Sequence, residues 1–250
     1  NVGMDAARGK YVIFPDPDDW VELGYVSQMV ELQNYYQTDL LCVGYYVDTD
    51  EKCVPANEGQ KPNCMDRVTA QQALLIPPKM GGFAWNKLYH LDIIREHKLR
   101  FLDDVGTTED LEFAFHYLKY CDTVCFVPST RLYHYYQRSG AATHSEFSIK
   151  KMETIRTYEK IIESSENDKL VQAAKEEICN TAINLIWQYQ NSNLQDKAAL
   201  KKLQRYARCY LKDYLKSAQY GKGRKQQAIM ACYMPAVYAF LKNRVTKDGE

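Results

Sequence analysis

The stretch GKYVIFPDPDDW, residues 9–20, places three carboxylates in four positions directly behind a short apolar run. The run, residues 11–14, is β-branched and aromatic, which is typical of a buried strand in a parallel sheet. Like charges this close together cost free energy unless a cation lies between them. Asp16, Asp18 and Asp19 therefore predict either a polar turn, which favours the same residue types, or a site for a divalent cation.

Strand and helix patterns alternate over residues 1–145, as in an α/β layer architecture. The predicted strands are residues 11–14, 39–48, 123–128 and 131–138, and the predicted helices are residues 22–36, 69–75 and 107–121. Thr107 or Thr108 is expected to cap the last of these helices. Residues 81–99 predict a strand or turn followed by a helix, and the polar segment 49–66 predicts a loop.

The strand patterns end near residue 146, and the remainder predicts an α-helical appendage over residues 146–250. Its four expected helices are residues 147–164, 168–190, 196–218 and 224–243. We therefore expect two domains, with the boundary between residues 145 and 146.

Composition excludes several classes of protein. The chain has 32 basic and 32 acidic residues, so no net charge attracts nucleic acid. Its eight cysteines form no C-x-x-C pair and no cluster with zinc-site spacing, which predicts reduced thiols in a cytoplasmic protein. The longest uncharged segment, residues 226–241, is too short and too polar to cross a bilayer.

The end of the chain is basic. Residues 216–247 contain seven Lys or Arg and no Asp or Glu, interspersed with apolar residues. This pattern is typical of an amphipathic surface on an anionic membrane, which predicts peripheral contact at the inner face of the plasma membrane. A helix that packs on its neighbours with a solvated basic rim has the same pattern, so both interpretations stay open.

Three blocks resemble family 2 glycosyltransferases of the GT-A fold. The first, NVGMDAARGKYVIFPDPDDW, is similar to the family segment that ends in Asp-x-Asp-Asp. The second, WNKLYHLDIIREHKLRFLDDVGTTEDLEFAFHYL, resembles a Trp-x-Lys-Leu-Tyr stretch followed by a helix that begins with Glu-Asp. The third, LYHYYQRSGAAT, is similar to a Tyr-x-Tyr-x-x-Arg segment. The resemblance covers residues 1 to about 145 and implies an α/β, Rossmann-like fold, followed by the α-helical region.

The resemblance also implies a mechanism. Asp16 and Asp18 would be the Asp-x-Asp motif that contacts the nucleotide sugar, and Asp18 chiefly would bind Mg²⁺ or Mn²⁺ on its diphosphate. Asp110 would be the general base that deprotonates an acceptor hydroxyl, with inversion at the anomeric carbon. A helix N-terminus also favours acidic residues, which is the structural alternative for Glu109 and Asp110.

Other residues receive roles from their chemistry and from their place in these blocks. Arg138 and Lys87 are candidates for phosphate contact, and a solvated or structural role is equally open for both. Gly81-Gly82 predicts a mobile loop. Trp85 is either a platform for an acceptor sugar or a core residue, and Glu109 is a candidate acceptor contact. His134 is a candidate third metal ligand, although a lone histidine on a strand is more often structural.

The predicted function is an inverting glycosyltransferase of bacterial type that acts in cell-surface polysaccharide synthesis. Its partners would be a nucleotide-sugar donor and a glycan or lipid-linked acceptor. Family members begin with about 80 to 90 residues that hold the nucleotide base, so we expect an N-terminally truncated fragment without full activity of its own. The prolines at 15 and 17 depart from the family pattern and should stiffen the turn. Two alternatives remain: another Mg²⁺-dependent enzyme of nucleotidyltransferase type, and a non-catalytic sugar-binding or scaffold module.

Overall fold

A computed structural model describes residues 1–76, 79–102, 108–137, 147–194 and 196–247, with side chains as far as residue 244. The chain divides into two compact units, residues 1–143 and 144–250, and each is described separately.

The first unit is built on a mixed sheet. Its strands are β1 (Tyr11–Val12), β2 (Trp20–Val21), β3 (Leu40–Asp48), β4 (Cys53–Pro55), β5 (Asn63–Asp66), β6 (Lys87–His90) and β7 (Thr123–Tyr136). The order is β1-β6-β3-β7-β2, with β4 added to β3 and β5 added to β7. Only β3 and β7 run parallel among these pairs. Residues that lie far apart in the sequence therefore meet along β7.

Among the described residues, the helices that accompany the sheet are α1 (Val2–Ala6), α2 (Tyr25–Tyr36), α3 (Arg67–Leu74), α4 (Leu91–Glu96) and α5 (Glu109–Leu118). The apolar face of α2 packs on β3 and β7, where Tyr25 and Met29 join Leu41, Val43 and Tyr133 in one buried cluster. The predicted helices and the buried strand over residues 39–48 are thereby confirmed, with the helix predicted from residue 22 beginning at Tyr25.

The apolar run at residues 11–14 is not a buried parallel strand. Only Tyr11 and Val12 form β1, which lies at the end of the sheet and pairs antiparallel with β6. Phe14 lies beyond the strand and packs against Phe101 and Phe113, with ring centroids 5.1 and 5.6 Å away. The apolar character of the run thus reflects packing between loops and α5, a role that a short pattern cannot distinguish from burial within a sheet.

Two further predictions are wrong in detail. The segment 49–66, predicted as a loop, contains the short strands β4 and β5, whose residues are mostly exposed and carry no apolar alternation. The two strands predicted over 123–138 are one strand, β7, which continues through Pro128. A register irregularity between β3 and β7 follows Val43, at the level of Pro128, where a proline cannot donate to a regular ladder.

One pair of cysteines is oxidised. Antiparallel pairing places Cys64 of β5 directly opposite Cys125 of β7, and the two form a disulfide. This corrects the prediction that all the cysteines are reduced thiols. The two cysteines are 61 residues apart in the sequence, and the sequence does not show that their strands are neighbours. The other six cysteines are free: Cys42, Cys53, Cys121, Cys179, Cys209 and Cys232.

The second unit is helical, as predicted. It contains a 3₁₀ turn (Ile149–Met152) followed by α6 (Glu153–Ser164), α7 (Asp168–Gln190), α8 (Lys197–Lys216), α9 (Lys222–Tyr233) and α10 (Pro235–Lys247). The long helix α7 is central and contacts α6, α8, α9 and α10. The helix predicted over 224–243 is two helices, because Pro235 lacks the N–H that a continuous helix needs and instead begins α10.

Across the described part of the chain, no helix is both long enough and apolar enough to traverse a bilayer.

Candidate active site

The fold brings two distant sequence blocks together. The negative charge of Asp110, at the start of α5, acts on Asp16 in the turn after β1. Partial burial, together with the charges of Asp110, Asp19, Asp18 and Glu109, raises the pKa of Asp16 to about 6. The like charges of these carboxylates repel one another, and a cation bound among them would offset that repulsion.

Tyr133 of β7 fixes the carboxylate turn. Its hydroxyl accepts a hydrogen bond from the backbone N–H of Asp16 at 2.9 Å and donates one to Oδ2 of Asp19 at 2.6 Å. The backbone N–H of Tyr136 donates to Oδ1 of Asp19 at 2.8 Å. Asp19 thus stabilises the turn, whereas Asp18 is exposed to solvent.

The N-terminal block is tied to the segment that precedes α5. Asn1 exchanges two hydrogen bonds with the backbone of Phe101, at 2.9 and 3.0 Å. Phe14 packs edge-on against Phe101 and Phe113, the latter on α5. These contacts join the strand that leads into the aspartate turn to the helix that carries Asp110.

Asp110 is held in a partly buried position in the first turn of α5. Its Oδ2 accepts a hydrogen bond from the backbone N–H of Ala84 at 2.9 Å. Burial raises the pKa of Asp110, and Glu109 raises it further, while the Ala84 hydrogen bond and the charge of Lys87 lower it. A carboxylate with a raised proton affinity and a fixed orientation is suited to accept a proton.

Lys87 organises the loop that presents Ala84. Its buried Nζ donates to the carbonyl oxygens of Gly81 and Phe83, at 2.8 and 2.5 Å, and to Oδ1 of Asn86 at 2.9 Å. Burial lowers the pKa of Lys87. Of the roles that the sequence leaves open for Lys87, this placement favours the structural one, because the side chain is fully buried and bound to loop oxygens.

Each of the two glycines of this loop is required for a different structural reason. Gly81 has a φ of +67°, in the left-handed region that other residues rarely adopt. A Cβ on Gly82 would lie 2.8 Å from Cβ and 3.1 Å from Cα of Leu111, so the loop packs closely on α5. This packing sets the distance between Ala84 and Asp110.

Glu109 adds an uncompensated oxygen to the site. Its Oε2 is buried and has no hydrogen-bond partner among the described residues. With Asp16, Asp18 and Asp110 it is one of four carboxylates in this region, the ligand type that Mg²⁺ and Mn²⁺ prefer. Among the described residues their oxygens do not form one compact ligand group. In chemical type the residues present fit a hard divalent cation.

Trp85 lies in the core of the first unit and is 3% exposed. Its ring is stacked with those of Tyr133 and Phe83, with centroids 4.5 and 4.9 Å away. Its carbonyl oxygen accepts a hydrogen bond from the hydroxyl of Tyr25 at 2.7 Å. This placement favours the core role over the acceptor platform, the two interpretations that the sequence leaves open.

His134 lies among a different set of ligand atoms. Successive residues of a strand face opposite sides of a sheet, so His134 points away from the side where Tyr133 contacts the aspartate turn. Its Nδ1 lies 2.9 Å from Oδ2 of Asp48 and its Nε2 lies 3.3 Å from Oε1 of Glu22. The predicted metal set of Asp16, Asp18 and His134 is not assembled as one group among the described residues. Arg138 and Thr107 lie outside the described residues.

Sequence reasoning missed Tyr133, Ala84 and Lys87 as positioning residues. The sequence does contain one signal for Tyr133. Side chains alternate between the two faces of a strand, so Tyr133 and its neighbour His134 are expected to face opposite sides of the sheet. No sequence signal identifies the backbone N–H of Ala84, because any residue type supplies that group.

Comparisons with known proteins show what the chain is similar to. Residues 1–97 match the model of glycosyl transferase family 2. The chain is 33% identical over 139 residues to the putative glycosyltransferase EpsH of Bacillus subtilis, a match that covers 54% of this chain and 40% of EpsH. It is 26% identical over 116 residues to the uncharacterized glycosyltransferase EpsJ of the same organism, covering 45% of this chain and 34% of EpsJ.

The fold is similar to a solved structure. Residues 1–349 of S. aureus TarS, in a complex with UDP-GlcNAc, superpose with a TM-score of 0.61 at 11% identity, covering 100% of this chain and 71% of that one. The matches to EpsH and EpsJ cover 40% and 34% of those proteins, so the chain spans less than half the length of either Bacillus relative. The chain is therefore similar to glycosyl transferase family 2 over residues 1–97, and its fold is of GT-A type.

Proposed function

We propose that the chain is part of an inverting glycosyltransferase that transfers a sugar from a nucleotide-sugar donor to a hydroxyl of an acceptor. The observation that carries this proposal is the packing of the block around Asp16 against the helix of Asp110, where Phe14 contacts Phe101 and Phe113. It joins the sequence block that resembles a metal motif to the block that resembles a general base, and both belong to one unit of the fold.

Asp18 and Asp16 would hold the cation, Mg²⁺ or Mn²⁺, and Glu109 offers a further buried oxygen. A divalent cation bound there offsets the charge of a diphosphate and so makes it a better leaving group. Tyr133 keeps the aspartate turn in one conformation through Asp16 and Asp19. Preorganisation of this kind lowers the cost of gathering like charges in one site.

Asp110 would act as the general base. It accepts the proton of the acceptor hydroxyl while the oxygen forms a bond to the anomeric carbon. The bond from that carbon to the diphosphate oxygen breaks in the same displacement, and the nucleoside diphosphate leaves with the electron pair. One displacement inverts the anomeric centre and needs no second carboxylate as nucleophile, unlike a retaining glycosidase.

The substrates follow from the resemblance and from the neighbours. The UDP-GlcNAc bound in the TarS complex supports a nucleoside diphosphate sugar as donor, with Arg138 as a further donor contact. The acceptor would be a glycan or lipid-linked saccharide, with Glu109 beside it, in cell-surface polysaccharide synthesis on the cytoplasmic side of the membrane.

Peripheral membrane contact is a second part of the proposal, supported by the surface of α9 and α10. The exposed large apolar side chains there are Ile229, Tyr233, Met234, Val237, Phe240 and Leu241. Basic residues accompany them, and Arg208 and Arg244 lie over the rings of Tyr233 and Phe240. We expect flotation of the chain with liposomes of anionic lipid and not with neutral liposomes. Absence of flotation with anionic liposomes would contradict the proposed membrane contact.

The two alternatives make different predictions. A nucleotidyltransferase would release diphosphate from a nucleoside triphosphate, and a scaffold module would bind a sugar with no cation requirement. The decisive experiment uses the chain joined to the N-terminal part that we expect to hold the nucleotide base. It is incubated with a panel of nucleotide sugars and Mn²⁺, and donor binding is measured by calorimetry and donor turnover by release of nucleoside diphosphate. Binding that needs both Mn²⁺ and Asp18 supports the transferase. Failure to bind any donor would contradict it.

A further inference from the structure

Three strands bring ligand atoms of three chemical types together on the side of the sheet away from Tyr133. Asp48 ends β3, Cys53 begins β4 and His134 lies in β7. One ligand atom from each lies within 4.8 Å of the others. Asp48 and His134 are buried, at 7% and 4% exposure, whereas Cys53 is exposed.

The distances are close to those of a tetrahedral zinc site. Nδ1 of His134 lies 2.9 Å from Oδ2 of Asp48 and 4.0 Å from Sγ of Cys53. Zinc bond lengths of about 2.1 Å to nitrogen or oxygen and about 2.3 Å to sulfur require separations of roughly 3.4 and 3.6 Å. The observed separations differ from those of a zinc site by a few tenths of an ångström. The exposed side chain of Cys53 can move by that distance.

The hydrogen bonds around His134 point to a cation. Both ring nitrogens face a carboxylate, Asp48 at Nδ1 and Glu22 at Nε2, and a neutral imidazole has one N–H to donate. Oδ1 of Asp48 is buried with no hydrogen-bond partner among the described residues. A metal on Nδ1 would satisfy Asp48, while Nε2–H donates to Glu22. Metal-bound histidines are commonly oriented by a carboxylate in this way.

The ligands are also held in place. The ring of His134 is stacked between Trp20 and Tyr46, with centroids 3.4 and 4.8 Å away. Nε1 of Trp20 donates to Oδ2 of Asp48 at 3.0 Å. Two of the three ligands therefore have fixed orientations before any metal binds, which favours a site over an accidental cluster.

We propose that Asp48, Cys53 and His134 bind Zn²⁺ at a site separate from the carboxylate cluster of Asp16 and Asp18, with Glu22 orienting His134 and water in the fourth position. A thiolate and an imidazole favour Zn²⁺ over the Mg²⁺ or Mn²⁺ that suits carboxylates alone. The metal would join the β3–β4 hairpin to β7. This inference does not depend on the proposed transferase activity.

The test uses the full chain, stripped of metal under reducing conditions and titrated with Zn²⁺ against a chromophoric chelator and with Co²⁺ by absorption. We expect one Zn²⁺ per chain and a thiolate-to-Co²⁺ charge-transfer band in the near ultraviolet. Cys53→Ser should remove the band and weaken Zn²⁺ binding by more than about 100-fold, and Glu22→Gln should weaken it by about tenfold.

Two matched controls separate this site from other sources of binding. Cys209→Ser removes another exposed thiol and should keep the Co²⁺ band. Asp18→Asn alters the carboxylate cluster and should leave Zn²⁺ affinity unchanged. Circular dichroism of Cys53→Ser checks that the variant folds. The inference is overturned if the wild-type chain gives no thiolate band, or if folded Cys53→Ser binds Zn²⁺ as tightly as the wild type.

Discussion

The backbone N–H of Ala84 donates a hydrogen bond to Oδ2 of Asp110 at 2.9 Å, which links the loop before β6 to the first turn of α5. The link depends on the close approach of Gly82 to Leu111. The position of the proposed base is thus set by loop packing as well as by its own helix.

Gly82→Ala tests this packing. The new Cβ would collide with Leu111, including its backbone, so the loop and α5 must separate. We expect a loss of stability of about 1–3 kcal/mol, as for overpacked sites, together with reduced sugar transfer. Chemical denaturation and a transfer assay measure the two effects. Gly223→Ala, where a Cβ meets no atom within 4 Å, is the control. An unchanged Gly82→Ala variant would contradict the packing argument.

Tyr133→Phe tests how the aspartate turn is held. Loss of the hydroxyl removes the partner of the Asp16 N–H and one of the donors to Asp19. We expect a loss of about 1–3 kcal/mol, the usual cost of buried polar groups left unsatisfied, and weaker Mn²⁺ binding. Thermal unfolding and calorimetry check both. Tyr35→Phe, at a side chain that is 79% exposed, should change neither. Unaltered Mn²⁺ affinity in Tyr133→Phe would exclude this role.

The raised pKa of Asp16 predicts a pH dependence. Because its folded-state pKa of about 6 exceeds the ordinary value of 3.8, the folded chain binds this proton more tightly than the unfolded chain. The associated stability is complete below pH 3.8 and is lost as the pH rises through 6. In metal-free buffer, Asp16→Asn should therefore raise the melting temperature at pH 7.5 and have little effect at pH 4.

The control for this experiment is Glu31→Gln, which neutralises an exposed carboxylate of α2 outside the cluster. Mn²⁺ should reverse the order at pH 7.5, stabilising the wild type more than Asp16→Asn, because the cation balances the clustered charges. Equal effects of Asp16→Asn at both pH values would show that the charges of the cluster do not act on Asp16.

Trp85→Ala separates the two roles of this residue. A core role predicts a loss of about 3–5 kcal/mol, whereas a platform role alone predicts a higher KM for the acceptor at unchanged stability. The burial and stacking of Trp85 lead us to expect the loss of stability. Leu23→Ala, at a side chain that is 96% exposed, gives the reference for a truncated apolar residue. Unchanged stability of Trp85→Ala would argue against the core role.

The helices and the strand at 39–48 were predictable because their apolar periodicity is strong and local. The edge position of Tyr11 and Val12 was not, since an apolar run has the same composition wherever its neighbours lie. The disulfide between Cys64 and Cys125 and the cluster around His134 depend on strand register, which no local pattern specifies. The carboxylate cluster was predicted from the resemblance of its blocks, and the residues that position it emerged only from the fold.

The central claim is that Asp110 accepts a proton from the acceptor in a site where Asp18 supports donor binding. Donor binding and transfer by the wild type and by Asp110→Asn, measured with Mn²⁺ and the same nucleotide sugar, test it most directly. We predict that Asp110→Asn binds the donor with wild-type affinity and loses transfer by at least about 100-fold. Transfer at the wild-type rate by Asp110→Asn would contradict the account.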